Sequence, residues 1–191
     1  MTAPTTTREF AGVAIPAPGT FALDPAHTLV GFVARHLVVS KVRGSFTQVS
    51  GAITVAENPV ESSVEVTIGA ASIDTGAPDR DGHLRSPDFL DVERFPSLTF
   101  RSLRVVDFSG SEFKLVGELT IRDVTREVQL DVEFDGVAQN PWGKEVVAFT
   151  ATTEIDRDEF GMTWNVALET GGVLVGRKVK IEISAQAIRE A

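Results

Sequence analysis

The side chains able to do chemistry crowd into one part of this 191-residue chain, RDGHLRSPDF at 80–89 followed by DVERFPSLTFRS at 91–102. His83 stands two residues from both Asp81 and Arg85. That spacing offers a general acid or base, a carboxylate to orient it and a cation for an anionic head group. A second histidine, His36, ends an otherwise apolar row in HTLVGFVARHL. Beside these readings stand plainer ones, a hydrogen-bonded structural histidine at 36 and an ion-paired lock on a turn at 83. Asp79, Asp81, Asp88 and Asp91 invite a cation, but their spacing matches no EF-hand loop, and no metal site is assigned. G-x-S-x-G, H-E-x-x-H, the phosphate-cradling G-x-x-x-x-G-K and the dinucleotide fingerprint are all missing from the sequence. No catalytic residue is assigned and no cofactor is expected.

Composition narrows the partners. A formal charge of −9 opposes nucleic acid and anionic membrane surfaces through the whole-chain field. With no cysteine there is no disulfide, thiolate nucleophile or Cys-bound metal. The 12 Phe against no Tyr supply aromatic bulk without phenolic tips, so an interior built from them can be dry. No run approaches the roughly 18 to 20 consecutive apolar residues of a spanning helix, so the chain is not expected to span a membrane. The first residues do not pattern as a secretory signal, which makes the cytoplasm the expected compartment. Residues 1–19, rich in Thr, Pro and Ala, read as a flexible arm, and 20–191 as a single domain.

The elements that must position the polar cluster are strands. Val30, Phe32, Ala34 and His36 share one face; Val64, Val66, Ile68 and Ala70 share another. Leu98, Phe100 and Ser102 begin a strand that returns through Phe113, Leu115, Gly117, Leu119 and Ile121. Val128 to Phe134, Val147 to Ile155 and Val179 to Ala187 continue the alternation, and QNPWGKE marks a turn anchored by Trp142. Between Gly44 and Gly51 the phase slips, which asks for a bulge or a sharp bend. The segment 79–90, between Pro78 and Pro87, reads as the one short helix. The fold class is therefore all-β: an eight-stranded antiparallel barrel with one or two short helices, closed because closure removes exposed edges.

Such a barrel can be packed solid or hold one small ligand. The inward rows mix large Phe with small Ala, Gly and Ser, so an elongated apolar cavity is expected, lined by Phe32, Phe46, Phe100, Leu115 and Leu130. Phe89 is expected in the lining as well. His83 and Arg85 are expected at one barrel end on a lid, with Phe160 and Trp164 covering an end.

HTLVGFVARHLVVSKVRGSF (27–46), the RD-G-HLRSPDF run (80–89), FPSLTFRS (95–102), GELTIRDVTREVQLDVEF (117–134) and RDEFG (157–161) occur in the order found in YceI-like proteins. The chain resembles that family over about residues 21–189. The resemblance implies a lipocalin-like barrel that encloses a polyisoprenoid or similar amphiphile, with a quinone-like lipid as another candidate, and a homodimer. Binding, carriage or storage of that lipid is then the leading function. The alternative is an enzyme acting on an isoprenoid-like lipid through His36 or His83, and a filled barrel serving as an interaction module is the third reading. The segment ETGGVLVG (169–176) reads as an insertion that reshapes one rim.

Overall fold

The computed structural model describes residues 6–191. An N-terminal hairpin of β1 (Thr7–Phe10) and β2 (Val13–Pro16) precedes β3 (Gly19–Leu23), β4 (Leu29–His36), β5 (Ser40–Phe46), β6 (Val49–Val55), β7 (Ser63–Gly69) and the short β8 (Ile73–Asp74). Helix α1 (Pro78–Arg85) follows, then the long strands β9 (Ser97–Ser109), β10 (Glu112–Ile121), β11 (Val124–Gln139), β12 (Glu145–Asp156) and β13 (Val175–Arg189). From β9 to β13 each strand pairs antiparallel with the next. Strand β13 also pairs with β3 and β4, and that pairing closes the sheet. β3 and β4 behave as one bent strand, and β5 and β6 as another, since β4 pairs with β5 and β3 with β6. Counted so, eight antiparallel strands form the closed barrel, in agreement with the alternation in the sequence. Among the described residues no helix is long and apolar enough to cross a membrane.

The phase slip between Gly44 and Gly51 is a bend at Thr47 and Gln48, where the chain leaves β4 as partner and joins β3 and β7. Two shifts in the β9–β10 register, one between Val116 and Gly117 and one between Glu112 and Lys114, have no counterpart in the simple alternation. They flip the parity of β9, so that its cavity row reads Leu98, Phe100, Val105, Phe108 while Leu103 is turned outward. Two aromatic rings lie over glycines: a Cβ on Gly44 would stand 2.5 Å from Phe32 Cζ, and one on Gly117 2.4 Å from Phe100 Cζ. The glycines of the inward rows thus admit flat Phe rings and are not empty volume.

The expected arm is corrected for residues 6–19, while residues 1–5 lie outside the described residues. β1 and β2 form a hairpin laid across one barrel end, with Ile15 buried in a cluster with Phe21, Val55, Phe134, Val147 and Ala187. Polar bonds hold it there. The Arg8 guanidinium donates to the carbonyls of Ala56 and Glu57, and the Thr6 N–H donates to buried Glu145 (3.0 Å). Glu145 in turn accepts from Arg189 (2.8 Å), whose guanidinium also reaches the Ala17 and Pro18 carbonyls and lies 4.5 Å from the Phe21 ring centre. Composition alone conceals this anchoring, because these polar partners stand 48 or more residues away in the chain. Trp142, expected to anchor a turn, is instead 83% exposed, and Asn140 holds that turn by accepting from the Trp142 and Lys144 N–H groups.

Helix α1 spans 78–85, shorter than the expected 79–90, because Ser86, standing before Pro87, is extended (ψ 169°). Pro78 occupies its first turn with Asp79 and Asp81, and His83 and Arg85 its last, an order that suits the helix dipole. With Leu84 as its one large apolar residue the helix has little cohesion of its own, so tertiary contacts must hold it. Asp81 supplies one, accepting from the Thr75 N–H (2.9 Å) and hydroxyl (2.6 Å).

Candidate functional site: an apolar cavity inside the barrel

Inside the barrel lies an elongated cavity of about 360 Å³, within the range of small-molecule sites. It runs from Ile15 and Phe108 at the hairpin end to Leu84, Phe89 and Met162 at the helix end. Phe32, Phe46, Phe89, Phe100, Leu115 and Leu130 all line it, as expected. His36, His83, Arg85, Phe160 and Trp164 do not.

Each of these five has another position. His36 closes β4 at the tight reversal into β5, opposite Ser40, whose hydroxyl donates to the His36 carbonyl (2.9 Å). His83 faces Asp88 (Nε2 to Oδ2, 2.8 Å), and its ring packs edge-on against Phe89 and Trp164, 5.0 and 4.5 Å between centroids. The expected pairing of His83 with Asp81 is thus corrected, because the Asp81 carboxylate is taken up by Thr75. Phe160 is fully buried beneath the same end. The segment 78–96 does cover a barrel end, since Leu84, Phe89 and Leu90 point into the cavity from it.

Arg85 is no head-group clamp at a solvated mouth. Its Nε and Nη2 donate to the Ala71 and Ile73 carbonyls, both at 2.8 Å, and so tie α1 to the β7–β8 corner. Arg85→Ala is therefore expected to cost about 1 kcal/mol of stability and to leave the preference for a ligand head group unchanged. Urea unfolding and a comparison of head-group variants of one lipid check both parts; a large head-group effect at unchanged stability would restore the clamp.

The polar atoms of the wall are few, and several are already bonded within the protein. Thr28 donates to Gln186 O (3.1 Å), Thr153 to Gln129 O (2.8 Å), and Ser62 accepts from Ala56 N–H (3.1 Å). Among the described lining residues Arg157 alone is titratable. Sequence reading missed its role. It is 3% exposed, and it donates to the carbonyls of Met162, Trp164 (2.9 Å), Gly176 (3.0 Å) and Val175 (3.2 Å). Burial pushes its pKa below the ordinary guanidinium value, opposed by Asp158 and Asp156 nearby. The RDEFG motif thus marks a staple that fastens the 162–176 rim to the barrel. Its only sequence signal was a basic residue between two carboxylates at the end of an apolar strand.

A closed antiparallel barrel around an apolar cavity, with its polar residues turned to structural bonds, defines a lipocalin-like fold. The model of the YceI-like domain matches residues 21–187, and the chain belongs to that family. It is 43% identical over 168 residues to a UPF0312 protein of Staphylococcus aureus strain USA300, a match that covers 87% of this chain and 95% of the relative. Among solved structures it is similar to the Campylobacter jejuni YCEI protein (29% identity, TM-score 0.69, covering 82% of this chain and 90% of that one). It is also similar in fold to BcnA of Burkholderia cenocepacia (24% identity, TM-score 0.72, 86% and 99% covered). A polyisoprenoid binding domain from Saccharophagus degradans shares the fold at 12% identity (TM-score 0.67, 91% and 100% covered).

Proposed function

We propose that the protein binds and carries a polyisoprenoid or quinone-like amphiphile, with the prenyl tail inside the barrel. The single observation that supports this most is the cavity itself, apolar along its length and lined at one end by the N-terminal hairpin and at the other by the 78–96 segment. Burying each CH₂ of a tail contributes about 0.8 kcal/mol, so a few prenyl units outweigh an ordering cost of about 4–15 kcal/mol. The name of the Saccharophagus degradans domain, which shares the fold, points the same way. The enzyme alternative gains nothing from the geometry, because neither His36 nor His83 lines the cavity. The reading includes a homodimer. Native mass spectrometry of the purified full chain, followed by extraction of any bound small molecule, tests both parts. A bound prenyl lipid on a particle of twice the chain mass is the expected result; a ligand-free barrel that takes up no prenyl lipid when offered one would overturn the reading.

A further inference from the structure

The reversal between β4 and β5 carries three features that each cost stability and that coincide at one tip. Leu37 (φ 53°) and Val38 (φ 66°) both take the left-handed backbone, a conformation unfavourable for side chains of this kind and worst for β-branched valine. Both are exposed, and Val39 beside them is 82% exposed. Arg35 and Lys41, like charges, face each other directly across the hairpin. Strain, bared apolar surface and paired cations that persist together indicate a surface held for contact.

The surroundings say what it fits. The rim segment docks on the tip through a hydrogen bond from Leu37 N–H to Leu174 O (2.9 Å), and it adds the exposed Val166 and Val173. Residues 33–43 and 171–181, on adjoining strands, hold Arg35, Lys41, Arg43, Arg177, Lys178 and Lys180 and no acid, in a chain whose net charge is −9. Glu182 pairs with Lys180 and Arg43, Asp156 with Arg177 and Lys178, and Asp158 with Arg177, all from the barrel side, and Glu169 is the one acid of the 162–176 rim; Arg35 and Lys41 at the tip stand outside these ion pairs. An apolar tip with a basic collar matches an anionic lipid surface, acyl chains below and phosphates around. The whole-chain charge opposes such a surface, but at physiological salt the field is local, reaching about 8 Å. A second copy of the chain meeting this face symmetrically would set collar against collar.

We infer that the β4–β5 tip and the adjoining 162–176 rim dock the helix end of the barrel on an anionic membrane. The inference rests on the lipid-carrier reading and extends it: Ala34 and Val175, close beside the tip, line the cavity, so docking places the α1 lid at the bilayer from which a prenyl tail would be drawn.

The test is co-sedimentation of the full chain with vesicles of phosphatidylcholine alone or with phosphatidylglycerol added. Binding to the anionic vesicles only, weakened by salt, is expected. Arg35→Gln with Lys41→Gln should lower the partition constant about 30-fold. Val38→Asn with Val39→Ser should lower it at least tenfold, and Val38→Asn alone should raise the thermal midpoint because asparagine tolerates the left-handed backbone. Uptake of a prenyl lipid from detergent micelles should persist in both double variants. For the unaltered chain, uptake without vesicle binding overturns the docking and spares the carrier; vesicle binding without any uptake overturns the carrier alone. A dimer that becomes monomeric in the variant changed at Val38 and Val39 assigns the tip to a self-interface and overturns the docking as well.

Discussion

Phe100→Asp is expected to abolish retention of a prenyl lipid while leaving the barrel folded. Phe100 lies over Gly117 in the wall of the cavity, away from the polar bonds that fix the two ends. A carboxylate placed there meets an apolar surface with no cation aimed at it. Its desolvation costs several kcal/mol, which corresponds to more than about 100-fold in affinity if the carboxylate stays charged. Phe100→Leu, which keeps the apolar wall, should retain the ligand and separates the effect of charge from that of lost ring volume. Circular dichroism verifies the fold, and extraction of the native protein reads retention. The same logic governs a series of lipids that differ only in prenyl number. Affinity should rise with each buried unit and level off once the tail outgrows the roughly 360 Å³ available. Affinity independent of tail length, with Phe100→Asp still loading, would mean that the wall does not hold the tail.

Arg157→Met removes the staple at the helix end and is expected to cost about 3–4 kcal/mol. Met keeps the stem but leaves the carbonyls of Met162, Trp164, Val175 and Gly176 without their shared donor. Each unsatisfied buried acceptor costs about 1–3 kcal/mol, and water reaching this rim recovers part of the total. For a domain of this size the thermal midpoint should fall by roughly 10 °C. Hydrogen exchange should quicken across 162–176 before it does in β9 to β11, because the rim is fastened by this residue and the barrel is not. Ligand release should quicken too, since Arg157 and Phe89 wall the cavity together, 5.9 Å from guanidinium to ring centre. Asp158→Asn, by contrast, removes a contact to Arg157 at 3.9 Å and an exposed pairing with Arg177 at 2.9 Å, and should cost no more than about 1 kcal/mol. Unaltered exchange in the rim of Arg157→Met would show that other contacts hold it.

The barrel was legible because a period of two is a local property. Once Val128, Leu130, Val132 and Phe134 alternate with charged and polar neighbours, one face must be buried, and several such rows have few ways to close. The five lining residues read from strand parity, Phe32 and Phe100 among them, needed no knowledge of which strand neighbours which. Tertiary structure alone decided what depends on distant partners. The N-terminal segment folds because Arg189 and Glu145, from the far end of the chain, meet it. His83 chose Asp88 over Asp81 because Thr75 already occupies Asp81. Arg85 turned from an expected ligand clamp to a backbone tie, and Arg157 from an unremarked basic residue to the bond that holds a rim, because carbonyls of turns, irregular chain and strand ends lay within reach. Apolar side chains are placed by periodicity, which the sequence carries along its length, whereas a polar side chain goes wherever its hydrogen bonds can be satisfied, and those partners are assembled only by the closed fold.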